Sequence, residues 1–102
     1  MHTIYIGNDG TNVDLKPYTG STLYQFPYDG YVTVNSGTGV TVGKYIRVAI
    51  RSRQGFNVAH VYMVVQGPYQ IESVFVRKGM QALFAGSDAT NNYSVTYYPL
   101  TD

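Results

Sequence analysis

The chain has 102 residues, seven Lys or Arg against six Asp or Glu, and a net charge of +1. Charged residues make up 13% of it, about half the share of an ordinary globular domain, so there is no basic stripe to displace counterions from nucleic acid. There is no cysteine, which excludes a disulfide framework and a thiolate metal site, and Tyr and Val are too plentiful for a disordered chain.

A chain of this length forms one domain over residues 1–102, with room for a single thin core. No apolar run approaches the roughly 18–20 residues of a membrane-spanning helix. The N-terminus, Met1-His2-Thr3-Ile4-Tyr5-Ile6, lacks the basic start and long apolar stretch of a secretory signal. The expectation is therefore synthesis in a reducing cytosol, with no membrane and no nucleic acid among the partners.

In chain order, turn signals recur at Asn8-Asp9-Gly10, Thr19-Gly20-Ser21, Asp29-Gly30, Ser36-Gly37-Thr38-Gly39, Gln54-Gly55, Gln66-Gly67-Pro68, Lys78-Gly79 and Gly86-Ser87-Asp88. Such spacing belongs to a sandwich or barrel. Between the turns, β-branched and aromatic runs predict strands near 3–6, 22–26, 30–35, 44–52, 57–65, 70–77, 80–85 and 92–98. Pro99 reads as the stop of the last one. No window carries a capped 3.6-residue apolar period, so little or no helix is expected. The fold class is all-β, a two-sheet antiparallel sandwich.

The strands differ in pattern. In 44–52, Ile46, Val48 and Ile50 alternate with Arg47, Ala49 and Arg51, one face in and one face wet. In 30–35, Val32 and Val34 oppose Tyr31, Thr33 and Asn35. Segment 57–65 is apolar on both faces: Ala59, Val61, Met63 and Val65 form one, Val58, His60, Tyr62 and Val64 the other. A strand apolar on both faces is either a central strand under a covering loop or a strand at a subunit interface; with so few charges the interface is favoured, at Val58, His60, Tyr62 and Val64. Eleven tyrosines add to this, because a Tyr ring packs while its hydroxyl finds a partner. Tyr97, on the last strand, is assigned to the same interface.

Reaction centres are hard to build from these residues. The two histidines, His2 and His60, fall short of the three or four ligands of a zinc site, and His60 sits in an apolar strand. Asp9, Asp29 and Asp88 stand in turn signals, where a carboxylate caps nearby amides rather than forming a glycosidase pair. Asn8-Asp9-Gly10-Thr11-Asn12-Val13-Asp14 alternates oxygen ligands but lacks the central glycine and terminal glutamate of an EF-hand, so a plain turn is the better reading. There is no Gly-x-Ser-x-Gly elbow and no phosphate-cradling loop around Gly43-Lys44. The chain is read as non-enzymatic and without cofactors. Arg47, Arg51, Arg53, Arg77 and Lys78 form the main basic group, a solvated face or a contact for an acidic partner.

Three segments carry a family resemblance. Phe26-Pro27-Tyr28-Asp29-Gly30-Tyr31-Val32-Thr33-Val34, Val74-Phe75-Val76-Arg77-Lys78-Gly79-Met80 and Ser94-Val95-Thr96-Tyr97-Tyr98-Pro99-Leu100 resemble, in order and spacing, segments of the small jelly-roll domains of bacteriophage virion proteins, among them tail-fibre tips, head fibres and capsid decoration proteins. The pattern is also similar to the C1q and tumour-necrosis-factor jelly roll. Met80 departs from it, standing where these proteins have a polar residue. The resemblance implies a C1q/TNF-like jelly roll, a homotrimer, a location on the virion after synthesis in the bacterial host cytoplasm, and other virion proteins such as the major capsid or tail proteins as partners. With no fibre shaft read ahead of the domain, a stand-alone decoration or fibre-head subunit is the form expected.

The alternative reading is a carbohydrate-binding module or adhesin for host-surface glycans. Lacking Trp, its site falls to Tyr69, Asn91, Asn92 and Tyr93, with Arg47 and Arg51 as a further ligand or partner surface.

Overall fold

A computed structural model describes residues 5–6, 12–15, 23–38, 41–87 and 93–101. These residues form nine strands: β1 (Tyr5–Ile6), β2 (Val13–Asp14), β3 (Tyr24–Gln25), β4 (Gly30–Asn35), β5 (Tyr45–Arg51), β6 (Asn57–Val64), β7 (Ile71–Val76), β8 (Gln81–Ser87) and β9 (Ser94–Thr101). Among the described residues there is no helix.

The strands form two antiparallel sheets. Sheet I runs β1-β9-β4-β7, with β2 also paired to β9; sheet II runs β3-β8-β5-β6. Sequence neighbours from β4 onward sit on alternate sheets except at the β5–β6 hairpin, which makes the sandwich a jelly roll. Each inner face is set by period-two patterning. Val32, Val34, Val76, Val95 and Tyr97 from sheet I meet Ile46, Val48, Ile50, Val61, Met63 and Ala82 from sheet II, and Leu15, Phe26 and Val65 close the ends.

The expected strands are found in these positions, with two differences. The short β2 was not expected: two residues of mixed pattern carry no strand signal, and they pair only because β9 offers an edge at Thr96 and Tyr97. Pro99 does not end the last strand, which continues to Thr101. The Leu100 N–H points toward β4 and bonds the Asp29 carbonyl at 2.8 Å, so the nitrogen of Pro99 faces the opposite side. There β1 pairs with 100–101 and β2 with 96–97, and Pro99 falls in the gap between them, where no donor is required.

Gly30 opens β4, as the strand expected over 30–35 has it, and is opposite Pro99. Glycine is required there by space: a Cβ would collide with the Tyr98 carbonyl oxygen and come within 2.8 Å of the Tyr97 ring. Gly79, by contrast, is a turn glycine in the ordinary sense, with φ of 89° between β7 and β8.

Tyr97, expected at a subunit contact, is instead fully buried within its own chain. It points inward by alternation with Val95, and its ring lies 4.8 Å from that of Phe26 and 5.8 Å from that of Tyr24. Its hydroxyl donates to the Tyr28 carbonyl at 2.7 Å and accepts from the Tyr28 N–H at 3.2 Å. Burial pushes its pKa up to about 12, against the smaller opposing effect of the Tyr28 backbone hydrogen bond. Because the folded pKa lies above the unfolded value of about 10, this tyrosine's contribution to stability is complete below pH 10 and is lost as pH rises toward 12. Alkaline denaturation followed by circular dichroism is expected to show stability falling across that window. Tyr97→Phe should flatten the fall and cost about 1–3 kcal/mol at neutral pH by leaving the Tyr28 groups without their partner.

Candidate functional site

The three segments behind the family resemblance converge at one corner of the sandwich, and what they do there is structural. β4 lies between β7 and β9, so the segments around 26–34, 74–80 and 94–100 are spatial neighbours. The Asp29 carboxylate accepts the Lys78 N–H at 2.7 Å and so fixes the β7–β8 turn. Gly79 N–H bonds the Phe26 carbonyl at 2.8 Å and Phe26 N–H the Met80 carbonyl at 2.9 Å. Met80 packs against the core, which gives its apolar side chain a reason to stand at that place. Asp29→Ala removes the cap and is expected to lower stability by about 1 kcal/mol in chemical denaturation without changing the fold.

What remains for function is the surface. The outer face of sheet I carries three cross-strand rows. Tyr98, Tyr31 and Phe75 lie side by side on β9, β4 and β7; Thr96, Thr33 and Ser73 form the next row, and Ser94, Asn35 and Ile71 the third. No outward-facing side chain on β4, β7 or β9 is charged. Tyr31 and Phe75 meet edge to face with ring centres 5.5 Å apart, yet they remain 39% and 44% exposed. Thr33 and Ser73 share a hydrogen bond of 2.9 Å between their hydroxyls. Tyr31, Thr33, Ser73 and Tyr98 line a shallow open groove of about 320 Å³.

The outer face of sheet II holds the other expected interface residues. On β6, Val58, His60, Tyr62 and Val64 all point outward, while Val61 and Met63 enter the core and Ala59 packs against it from a partly exposed position. Tyr62 is 48% exposed, stacks on Tyr45 with ring centres 5.8 Å apart, and meets the His60 ring edge-on at 6.4 Å. Arg47 pairs directly across from Tyr62. Along its other side β6 pairs with no strand among the described residues. This eight-residue edge strand carries apolar side chains and neither Lys nor Pro; of the usual protections against pairing with other chains it has a bulge at Val58, where the register with β5 shifts between Ile50–Ala59 and Arg51–Asn57.

The expected ligand surface is not assembled as one site. Asn91 and Asn92 lie outside the described residues. Tyr93 is half-buried, stacked on Phe84 at 6.3 Å and packed against the core, so its ring is committed to the fold. Arg51 also serves the fold: its guanidinium donates to the Gly55 carbonyl at 2.6 and 3.1 Å and closes the β5–β6 turn. Arg47 is exposed, but on the sheet II face. Tyr69 is 67% exposed, with a left-handed φ of 56° that is rare for a tyrosine. It is held in place by Ser36, which is fully buried and which the sequence marks only as part of a turn signal. The Ser36 hydroxyl donates to the Gly67 carbonyl at 3.0 Å and accepts the Gln70 N–H at 2.9 Å. Tyr69 N–H bonds the Gly37 carbonyl at 2.9 Å.

Among the described residues no three His, Asp or Glu come together to hold a metal ion. No protein-family model, curated protein or solved structure matches the chain.

Proposed function

We propose that this chain is a non-enzymatic structural subunit of a bacteriophage virion, a capsid decoration, head-fibre or tail-fibre head protein that assembles as a homotrimer. The observation that carries the reading is the outer face of sheet I, where Tyr98, Tyr31 and Phe75 form an uncharged aromatic row across three strands. Depletion of charge and enrichment in aromatic residues mark the centres of protein interfaces. Asp14 on β2 and Arg77 beyond β7 stand at the margins, where a polar rim belongs. The jelly-roll strand order and the three motif segments support the virion setting and the threefold closure. The outer face and open edge of β6 offer a second contact, through which a trimer could meet other virion proteins.

The setting is tested by imaging. Antibody against this chain, viewed on intact particles of the phage that encodes it, is expected to decorate the particle at discrete capsid or fibre positions. Absence of the chain from purified particles, with abundance in the infected-cell lysate, would overturn the virion assignment.

A further inference from the structure

The geometry points to a binding site for an acidic polysaccharide at the end of the sandwich formed by the β3–β4 loop (26–29), the β5–β6 turn (52–56) and the β7–β8 turn (77–80). The inference does not rest on the homotrimer, because the site is built within one chain.

These three segments are tied into one rigid tip. Arg53 Nη2 donates to the Lys78 carbonyl at 3.1 Å and its guanidinium lies over Gly79, where a Cβ would come within 2.9 Å of the Arg53 Cζ. The lack of a side chain at Gly79 therefore makes room for Arg53. Asp29 fixes Lys78 from the other side. Within the β5–β6 turn, Ser52 and Phe56 are joined by Ser52 N–H to the Phe56 carbonyl at 2.7 Å and Phe56 N–H to the Ser52 hydroxyl at 3.2 Å.

Among the described residues, the side chains this tip displays are Arg53, Arg77 and Lys78 as cations, with Asp29 the one carboxylate, one of whose oxygens accepts the Lys78 N–H. Arg77 leans over the Phe75 ring at 6.0 Å. Beside the cations stand two exposed aromatic rings, Phe56, 70% exposed, and Tyr28. An exposed phenylalanine at the tip of a hydrogen-bonded turn adds nothing to the core. Its use is a flat apolar surface for a ligand that has one. A uronic-acid polymer supplies both halves: apolar ring faces for Phe56 and Tyr28, and carboxylates for the Arg53 guanidinium, held in place before binding by the Lys78 carbonyl, and for the exposed Lys78 ammonium. Charge complementarity selects the acidic polymer over a neutral one. The aromatic rings select a sugar over an acidic peptide. Several copies on one particle would raise a weak single-site affinity through avidity.

The test is affinity electrophoresis of the intact chain in gels containing polygalacturonate, dextran or poly-glutamate at low salt. Retardation is expected in polygalacturonate alone. Lys78→Glu and Phe56→Ser change exposed side chains and leave the backbone cap by Asp29 intact. Each is expected to weaken the retardation about tenfold, the loss of one good contact. Circular dichroism confirms that each variant is folded. No retardation of the parent chain, equal retardation in poly-glutamate, or retardation unchanged in both variants would each overturn the proposal. A monomeric chain that is retarded would leave this site standing while removing the trimer.

Discussion

Gly30→Ala is expected to be the most damaging single substitution in the chain. The added methyl meets the backbone carbonyl of Tyr98, which belongs to the ladder between β4 and β9, and the ring of Tyr97, which is locked by its bonds to Tyr28. Neither can retreat as a flexible side chain would. The strand must peel from β9 or Tyr97 must leave its place against Phe26, and either disrupts the corner where three segments meet. Overpacking a well-filled site typically costs 1–3 kcal/mol, and a backbone collision in a thin core belongs at or above about 3 kcal/mol. A domain of this size has roughly 5–10 kcal/mol in total. Urea denaturation is expected to show a midpoint reduced by a third or more, and a midpoint unchanged from the parent would show that the β4–β9 corner is far more pliant than drawn. Gly79→Ala strains a left-handed turn and crowds Arg53, whose side chain can swing away, so its cost should be smaller.

The second large effect is expected at Phe75. This ring points outward from β7, touches Tyr31 edge to face and takes no part in the core. Phe75→Glu should therefore leave the sandwich folded, at a cost of about 1 kcal/mol for the lost aromatic pair. In the proposed trimer the same change buries a carboxylate among aromatic rings, its one near cation being the rim Arg77, whose guanidinium lies 6.0 Å from the Phe75 ring. Desolvating a carboxylate costs several kcal/mol, more than an exposed rim partner returns, so each subunit contact is weakened by about 3 kcal/mol, upward of a hundredfold. Sedimentation velocity at micromolar concentration is expected to show folded monomer for Phe75→Glu and Tyr31→Glu. Val58→Glu, on the sheet II face, is expected to leave the trimer intact. If Val58→Glu dissociates the assembly and Phe75→Glu does not, β6 is the contact.

How much of this was legible in the sequence differs by level. Alternation in Tyr31-Val32-Thr33-Val34 and in Ile46-Arg47-Val48 is strong because half of each strand faces the core, and a period-two signal survives wherever burial differs between faces. β6 was legible as a strand from its β-branched and aromatic run; with both faces apolar, alternation left open which one enters the core, and the structure puts Val61 and Met63 inside while leaving Val58, Tyr62 and Val64 exposed. Tyr97 was not legible. An aromatic residue in a strand rich in Tyr looks the same whether it turns in or out. Only the corner geometry, in which its hydroxyl meets Tyr28 across 69 positions of sequence, assigns it to the core.

The aromatic row on sheet I was hidden for a related reason. Tyr31, Phe75 and Tyr98 come from three separate segments, and nothing in one dimension says that their registers coincide. Pro99 was misread because its common local role, the strand stop, is overridden by a long-range contact; that Gly30 must be glycine for lack of space is visible only in three dimensions. Arg51 looked like a surface ligand contact and is a turn clamp, since its guanidinium reaches a carbonyl only four residues away once the hairpin has formed. Ser36, a small polar residue in a turn-like string, gave no hint that its hydroxyl would join two loops and hold Tyr69 in view.

The central claim is that the uncharged aromatic face of sheet I is covered by identical copies of this chain. Multi-angle light scattering on the purified protein, across a dilution series through the micromolar range, reads this directly. A mass of three chains, falling to one in Phe75→Glu, is the predicted result. A folded parent chain that elutes with the mass of a single copy at every concentration would contradict it.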